Sequence, residues 1–401
     1  MLTREELNEF SSETVQLYSG TDVSVELEAE APPLYLTTAF ILPGDMADID
    51  ELYSQKQFTY VRTRNPNRRM LEEAISALEN GERSLIFSSG MAAIHTPLMA
   101  CLKSGDHILA AKTLYGESIE LFAHYKKQFG IETDYVDFTD LDLVRNSIKP
   151  NTKLLYAETI SNPKIVLTDI EAVARIAHDN GALLFVDNTF ATPYLVRCLD
   201  LGADIVMESL TKFMNGHSDA LLGSICAKAE LIDKIKHLQH LYGGSGGTFN
   251  SWLVLRSLRT FDLRMSKHVS NADKLAQALV NHPRVRKVNY PSVPGYPQTE
   301  LAERLFAGKG YGGMMSFELD PDCKPVLGRM LKELKLARYA PTLGGFRTTL
   351  SHPPTSSHAD LTPDERWALG IHDGMMRISV GLENPDDLIK DFYQALDKAF
   401  E

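Results

Sequence analysis

Between residues 68 and 227, short apolar runs alternate with longer stretches of helical period. The runs read RSLIFSS, DHILAA, TDYVDF, TKLLYAET, ALLFVDN, ADIVMES and LLGSICA. Each has the length of a strand, and turn-forming or polar residues set it apart from its neighbours. RRMLEEAISALEN precedes the first run, and GMAAIHTPLMACL, SIELFAHYKKQFG, DLDLVRNSI and DIEAVARIAHDNG separate later ones. In these intervening pieces the apolar residues recur every three or four positions, as on one face of a helix. Strands spaced by helices predict an α/β domain, a mainly parallel seven-stranded sheet between helices.

The rhythm changes on both sides of this region. Upstream, polar stretches surround one extended apolar piece, PPLYLTTAFIL, which reads as an arm lying on another surface. Downstream, TFNSWLVLRSLRTFDLRMSKHVSNADKLAQALV reads as one long helical stretch. After it come VRKVNYP, GGMMSFEL, LARYAPTLGG and MMRISVG, separated by helices, the pattern of a smaller C-terminal α+β domain. The expected divisions are an arm over 1–62, an α/β domain over 63–258 and an α+β domain over 259–401.

Composition narrows the class. The chain has 401 residues, 44% of them hydrophobic and 23% charged, which suits a globular protein with a large buried core. Its 41 Lys+Arg against 53 Asp+Glu give a net charge of −12, with no basic cluster to attract nucleic acid. The four cysteines, Cys101, Cys198, Cys226 and Cys323, lack the spacing of metal ligands and read as reduced core thiols. No metal site is expected. The acidic, polar N-terminus is not a signal peptide, and no apolar run reaches the roughly 20 residues that span a bilayer. The expectation is a cytoplasmic protein without a membrane partner.

The chemistry sits at the ends of the apolar runs, where α/β sheets place their ligands. SSGMAA follows one run and opens a helix, so backbone N–H groups at Gly90 and Met91 would face an anion. Tyr115 in TLYGES and Asn162 in ISNPK stand at two further exits. Asp187 ends FVD, and a carboxylate in that position needs a cationic or protonated partner. ESLTK then places Lys212 among the hydroxyls of Ser209 and Thr211. Singly, each has an ordinary explanation: a tight turn, a core tyrosine, an Asx turn, an ion pair, a solvated lysine. In this order they suit one ligand, a phosphorylated aromatic ring with a basic nitrogen and an aldehyde. That ligand is pyridoxal 5'-phosphate, held by Lys212 as a Schiff base.

With PPLYLTTAF, YVRTRNPN, SSGMAA, TLYGE, SNPK, VDNTFATP, SLTKFMNGHSD, TLGG and MRISVGLE in this order, the chain resembles the Cys/Met-metabolism family of fold-type-I pyridoxal-phosphate enzymes. That is the group of cystathionine γ-synthase, cystathionine γ- and β-lyases, methionine γ-lyase and O-acetylhomoserine sulfhydrylase. The resemblance implies catalytic roles for Lys212 and Tyr115. It also implies pyridine-nitrogen contact by Asp187, ring stacking by Tyr115, and phosphate binding by Gly90, Met91, Ser209 and Thr211. Tyr60 and Arg62 would reach a neighbouring subunit's phosphate. Asn162 and Arg377 would meet the cofactor's hydroxyl region and the substrate α-carboxylate, with Thr342 beside them. The implied assembly is a homotetramer, a dimer of dimers whose active sites are shared across the dimer interface.

The implied reaction on a small amino-acid substrate is α,γ-elimination from a γ-substituted amino acid such as cystathionine, homocysteine, methionine or canavanine. γ-Replacement on an activated homoserine ester is the rival, followed by β-elimination and a non-catalytic protein on the same fold. Four residues depart from the family pattern: Arg64, Asn67, Glu117 and Arg347. Glu117, facing the distal end of a substrate, would favour a cationic tail. Alternatively, Glu117 and Arg347 pair with each other or face solvent.

Overall fold

The computed structural model describes residues 29–42, 45–54, 57–320, 322–359 and 362–401. The chain divides into a short unit ending at Leu34 and a large one from Tyr35 to Glu401. Most of the expected arm's first half lies outside the described residues. Everything below concerns the large unit.

All seven apolar runs of the α/β region are strands: β1 (Arg83–Phe87), β2 (His107–Ala111), β3 (Glu132–Val136), β4 (Thr152–Glu158), β5 (Leu183–Asp187), β6 (Ile205–Glu208) and β7 (Gly223–Ala227). They form one sheet in the order β1-β7-β6-β5-β4-β2-β3. Strand β7 runs antiparallel to both neighbours, and the other pairs are parallel. Strands β2 and β7 are buried throughout, and β4 is buried except at Lys153. That burial explains why these segments read as continuous apolar runs rather than alternating ones.

The helices that matter for the site are α1 (Pro66–Glu79), α2 (Gly90–Cys101), α3 (Gly116–Phe129), α4 (Ile170–Asp179), α5 (Thr248–Ser257), α6 (Phe261–Val280) and α7 (Pro385–Ala399). Helix α1 is capped by Asn65, whose side chain accepts the N–H groups of Asn67 and Arg68. Asp169 caps α4 through the N–H of Ala172. The long helical stretch is not continuous, because a 3-10 turn over Leu258–Thr260 separates α5 from α6. Arg264 explains the bend: its guanidinium is buried and donates to the carbonyls of Ser257, Phe213 and Met214.

The C-terminal sheet has the order β10-β11-β12-β9-β8, with β8 (Val285–Asn289), β9 (Met314–Leu319), β10 (Arg338–Tyr339), β11 (Thr349–Ser351) and β12 (Met375–Ser379). LARYAPTLGG supplies a strand of just two residues, and β11 was not legible as a strand because it is so short. A separate apolar core fills this region, built from α6, α7 and the sheet. Helix α6 serves both cores: Phe261 and Met265 pack into the larger, Leu275 and Leu279 into the smaller. Among the described residues no helix is long and apolar enough to cross a membrane.

Candidate active site

The parallel strands all point their carboxyl ends at the same edge of the large sheet. Chain order changes direction there, since β4 is flanked by β5 on one side and β2 on the other. A cavity of about 300 Å³ opens at this edge. Gly90, Met91, Tyr115, Glu117, Asn162, Asp187, Ser209, Thr211, Lys212, Thr342 and Arg377 all line it. Eleven residues singled out from the sequence thus meet in one place.

The anion end is built by α2. Ser89 caps the helix, accepting the Ala92 N–H at 3.1 Å, which leaves the first-turn N–H groups of Gly90 and Met91 without intrahelical acceptors. A methyl group on Gly90 would lie 3.2 Å from Ser209 Oγ, so the serine hydroxyl closely approaches the helix start. Thr211 differs from its neighbour. Its hydroxyl donates to the Leu222 carbonyl and accepts the Leu222 N–H, both at 3.1 Å.

Asp187 ends β5, and its Oδ1 accepts the Thr189 N–H at 3.0 Å. The Thr189 hydroxyl in turn accepts the Ser209 N–H at 2.9 Å, tying the ends of β5 and β6 together. Burial raises the Asp187 carboxyl above its ordinary value, against the lowering effect of Thr189. Among the described residues it has no ion-pair partner. A carboxylate held this way in a cavity wall suits a cationic ring nitrogen arriving with a ligand.

Lys212 follows β6 in a tight turn whose Gly216 N–H bonds back to the Lys212 carbonyl at 2.8 Å. Gly216 has φ +69°, and a Cβ there would collide with the Arg264 guanidinium. Gly344, at φ +73°, brings the TLGG loop against the Lys212 backbone, where any side chain would clash. Two glycines and one buried arginine therefore fix the lysine. Burial and then Arg377 lower the Lys212 amine, while Glu117 opposes them. A depressed amine has a larger uncharged, nucleophilic fraction at neutral pH.

Arg377 comes from β12 of the other sheet and is 7% exposed. It donates to Asn162 Oδ1 at 3.1 Å and to the Thr342 carbonyl at 3.4 Å, while its buried Nε has no acceptor among the described residues. Burial lowers it to about 10, so it remains a cation at neutral pH. A fork held at one end and free at another fits a carboxylate. Tyr115 stands at the start of α3, and burial followed by the Glu117 carboxylate raises its phenol, keeping it protonated. Glu117 is exposed at the cavity rim. Arg347 lies 5.2 Å from the centre of the Phe346 ring, and no Glu117–Arg347 ion pair exists among the described residues.

Tyr60 and Arg62 stand outside the cavity. Tyr60 makes an isolated bridge to Ala39, and exposed Arg62 donates to the His240 carbonyl at 2.6 Å. Three residues escaped the sequence reading: Thr189, Arg264 and Glu158. Glu158 ends β4 as Asp187 ends β5, so a polar residue closing an apolar run was the available signal. Arg264 gave none, because two of its three carbonyl acceptors lie about fifty residues away in sequence.

The donor set fits pyridoxal 5'-phosphate. It offers a helix N-terminus and a hydroxyl for a phosphate, a carboxylate without a cation for a pyridinium, and a nucleophilic amine between them. Comparison with known proteins agrees. The model of the Cys/Met metabolism PLP-dependent enzyme family matches residues 13–397. An L-methionine gamma-lyase of Fusobacterium nucleatum subsp. polymorphum is 40% identical over 92% of this chain and 93% of its own length. A cystathionine beta-lyase of Bacillus subtilis is 44% identical over 84% and 86%, and a canavanine gamma-lyase of Pseudomonas canavaninivorans is 37% identical over 99% of both. The crystal structure of cystathionine gamma-lyase from Lactobacillus plantarum complexed with L-serine superposes with a TM-score of 0.86. It is 36% identical and covers 92% of this chain and 93% of that one.

Proposed function

The chain belongs to the Cys/Met-metabolism family of enzymes that use pyridoxal 5'-phosphate, and from that premise we propose that it is a γ-lyase. It performs α,γ-elimination on a γ-substituted L-amino acid. One observation carries this reading: an amine, an uncompensated carboxylate, a helix N-terminus and a half-free guanidinium line the same cavity of about 300 Å³. When bound, the cofactor supplies an electron sink that acidifies the Cα–H and then the Cβ–H of the amino acid.

The chain's own residues do the rest. Lys212 would hold the cofactor through its amine and, as the uncharged base, would take the Cα proton at Nζ and relay it. Asp187 would hold the ring nitrogen protonated, and Gly90, Met91 and Ser209 would bind the phosphate, beside Thr211, whose hydroxyl and N–H are both engaged with Leu222. Tyr115 lies on the ring and keeps its phenolic proton. Arg377, oriented by Asn162 with Thr342 alongside, binds the substrate α-carboxylate and so sets which Cα–H faces Lys212.

Glu117 at the rim supports a substrate with a cationic tail, such as canavanine, over a plain thioether. Glu117 makes no ion pair with Arg347 among the described residues, and its carboxylate acts on the Tyr115 phenol inside the cavity, which supports a place for it beside the substrate. The same reading makes the protein a cytoplasmic homotetramer, a dimer of dimers in which Tyr60 and Arg62 serve a neighbour's cavity. In support, Ile41 is 97% exposed and Tyr35, Leu36, Tyr53, Tyr60 and Tyr242 are exposed too, an apolar surface suited to a second copy.

The test is a panel of canavanine, cystathionine, methionine, homocysteine and O-acetylhomoserine, with 2-oxobutyrate, pyruvate and the released group assayed separately. γ-Elimination gives 2-oxobutyrate from the sulfur substrates without an added thiol. Pyruvate as the main product would make the protein a β-lyase, and turnover that requires an added thiol would make it a γ-replacement enzyme.

A further inference from the structure

Glu158 lies in the wall of the cavity, 6% exposed, at the end of β4 and directly opposite Asp187 in the β4–β5 register. Its two carboxyl oxygens are used separately. Oε1 accepts the backbone N–H of Tyr115 at 2.6 Å, and Oε2 accepts the backbone N–H of Asn162 at 3.0 Å. Tyr115 leaves β2 and Asn162 leaves β4, so one side chain ties two neighbouring strand exits together. Among the described residues no Lys, Arg or His forms an ion pair with it. Burial and then Asp187 raise its carboxyl to about 8, while the two N–H donors and Arg377 favour its charged form.

We infer that Glu158 is a positioning residue for this enzyme, a two-ended clamp that sets the ring-facing Tyr115 and the carboxylate-orienting Asn162 at a fixed separation. The inference rests on the proposed use of the cavity for cofactor and substrate. It follows from the chemistry of the clamp. Two N–H donors converge from different segments, and a carboxylate is the side chain that offers two acceptors and no donor. Asn162 passes the constraint on, since its Oδ1 accepts from Arg377 at 3.1 Å. A shift of the 162 backbone therefore misaligns the guanidinium that meets the substrate carboxylate. A shift at 115 moves the aromatic ring off the cofactor. Glu158 touches neither reacting atom, so the proton transfers themselves do not require it.

Glu158→Gln keeps the size but turns one oxygen into a donor that faces an N–H, so just one arm of the clamp survives. In the holoenzyme, KM for the amino acid should rise about tenfold, which is the loss of roughly one hydrogen bond. Change in kcat should stay within about threefold. The visible absorbance of bound cofactor should also fall faster on dialysis than in the wild type. A KM and a cofactor off-rate both equal to wild type would overturn the clamp. So would a loss confined to kcat.

Amide hydrogen exchange on the wild-type protein tests the same contact without any substitution. The N–H groups of Tyr115 and Asn162 should exchange slowly although both lie in loops outside the sheet. Fast exchange at both would reject the clamp even if Glu158→Gln fails to fold. Neither result touches the wider reading of the cavity, which stands or falls with Lys212.

Discussion

Two pairs of buried carboxyl groups lie on opposite faces of the same sheet, and they are treated differently. On the cavity face, Glu158 and Asp187 together accept three backbone N–H groups and open onto a space of about 300 Å³. On the other face, Glu208 of β6 meets Glu79 at the end of α1, and both are fully buried. Alternation along β6 separates the faces: Met207 and Ser209 line the cavity and Glu208 points away from it. Burial raises both cavity acids, Glu158 to about 8, but their N–H donors oppose that shift, and a cation arriving in the cavity would favour their charged forms. Acids facing each other in an apolar core stay protonated instead, because burying their charge costs far more than keeping a proton.

The largest effect belongs to the amine beside the cavity pair. Lys212→Ala should abolish turnover while leaving the melting temperature of the apo-protein near wild type, because the loss is chemical. Retention of even a tenth of the activity would remove Lys212 from its role. Next comes the charge of Asp187. Asp187→Asn removes the partner of the ring nitrogen, and a charge-assisted hydrogen bond in a desolvated site is worth roughly 1.5–3 kcal/mol. Activity should therefore fall about 10- to 150-fold. An unchanged rate would mean that this acid is no different from the core pair.

The core pair should speak through stability. Burial raises Glu79 from 4.5 to about 8 and raises Glu208 as well. The folded chain keeps protons that the unfolded chain releases above about pH 4.5. Stability is thus full at acid pH and falls as pH rises toward 8, by about 1.4 kcal/mol per pH unit for each retained proton. Glu208→Gln removes one such proton. Its denaturation midpoint should be close to wild type near pH 5 and higher than wild type at pH 8. Parallel curves for the two proteins would show that the pair carries no retained proton.

The smallest effect is expected at the rim. Glu117 is exposed, where an ion pair contributes about 0.5–1 kcal/mol. Glu117→Gln should shift the kcat/KM ratio of canavanine to methionine about two- to fivefold toward methionine. A competition assay with both substrates measures it, and an unchanged ratio would leave specificity to residues other than Glu117.

The difference between the two pairs also shows what can be read from a one-dimensional pattern. Asp187 and Lys212 were legible because a polar residue closes an apolar run, and such a residue must meet something other than the core. Glu158 carries the same signal in TKLLYAE, four residues before Asn162. Glu208 gave it too, in VME, but there the strand's alternation turns the side chain into the core. Nothing in the local sequence says which face of a sheet a terminal residue will take.

The sequence by itself determined the seven strands of the large sheet, their covered faces, and the polar residues at their exits, because burial on both faces leaves a run of apolar residues whatever the topology. Only the tertiary structure decided which exits meet. Strand order brings β2, β4, β5 and β6 to one edge, and the second sheet delivers Arg377 from 165 positions beyond Lys212. The bend at Leu258–Thr260, the Arg264 clamp and the Glu79–Glu208 contact likewise depend on segments distant in sequence. Periodicity reports the environment of each residue, not the identity of its neighbour, and chemistry at a site depends on the neighbour.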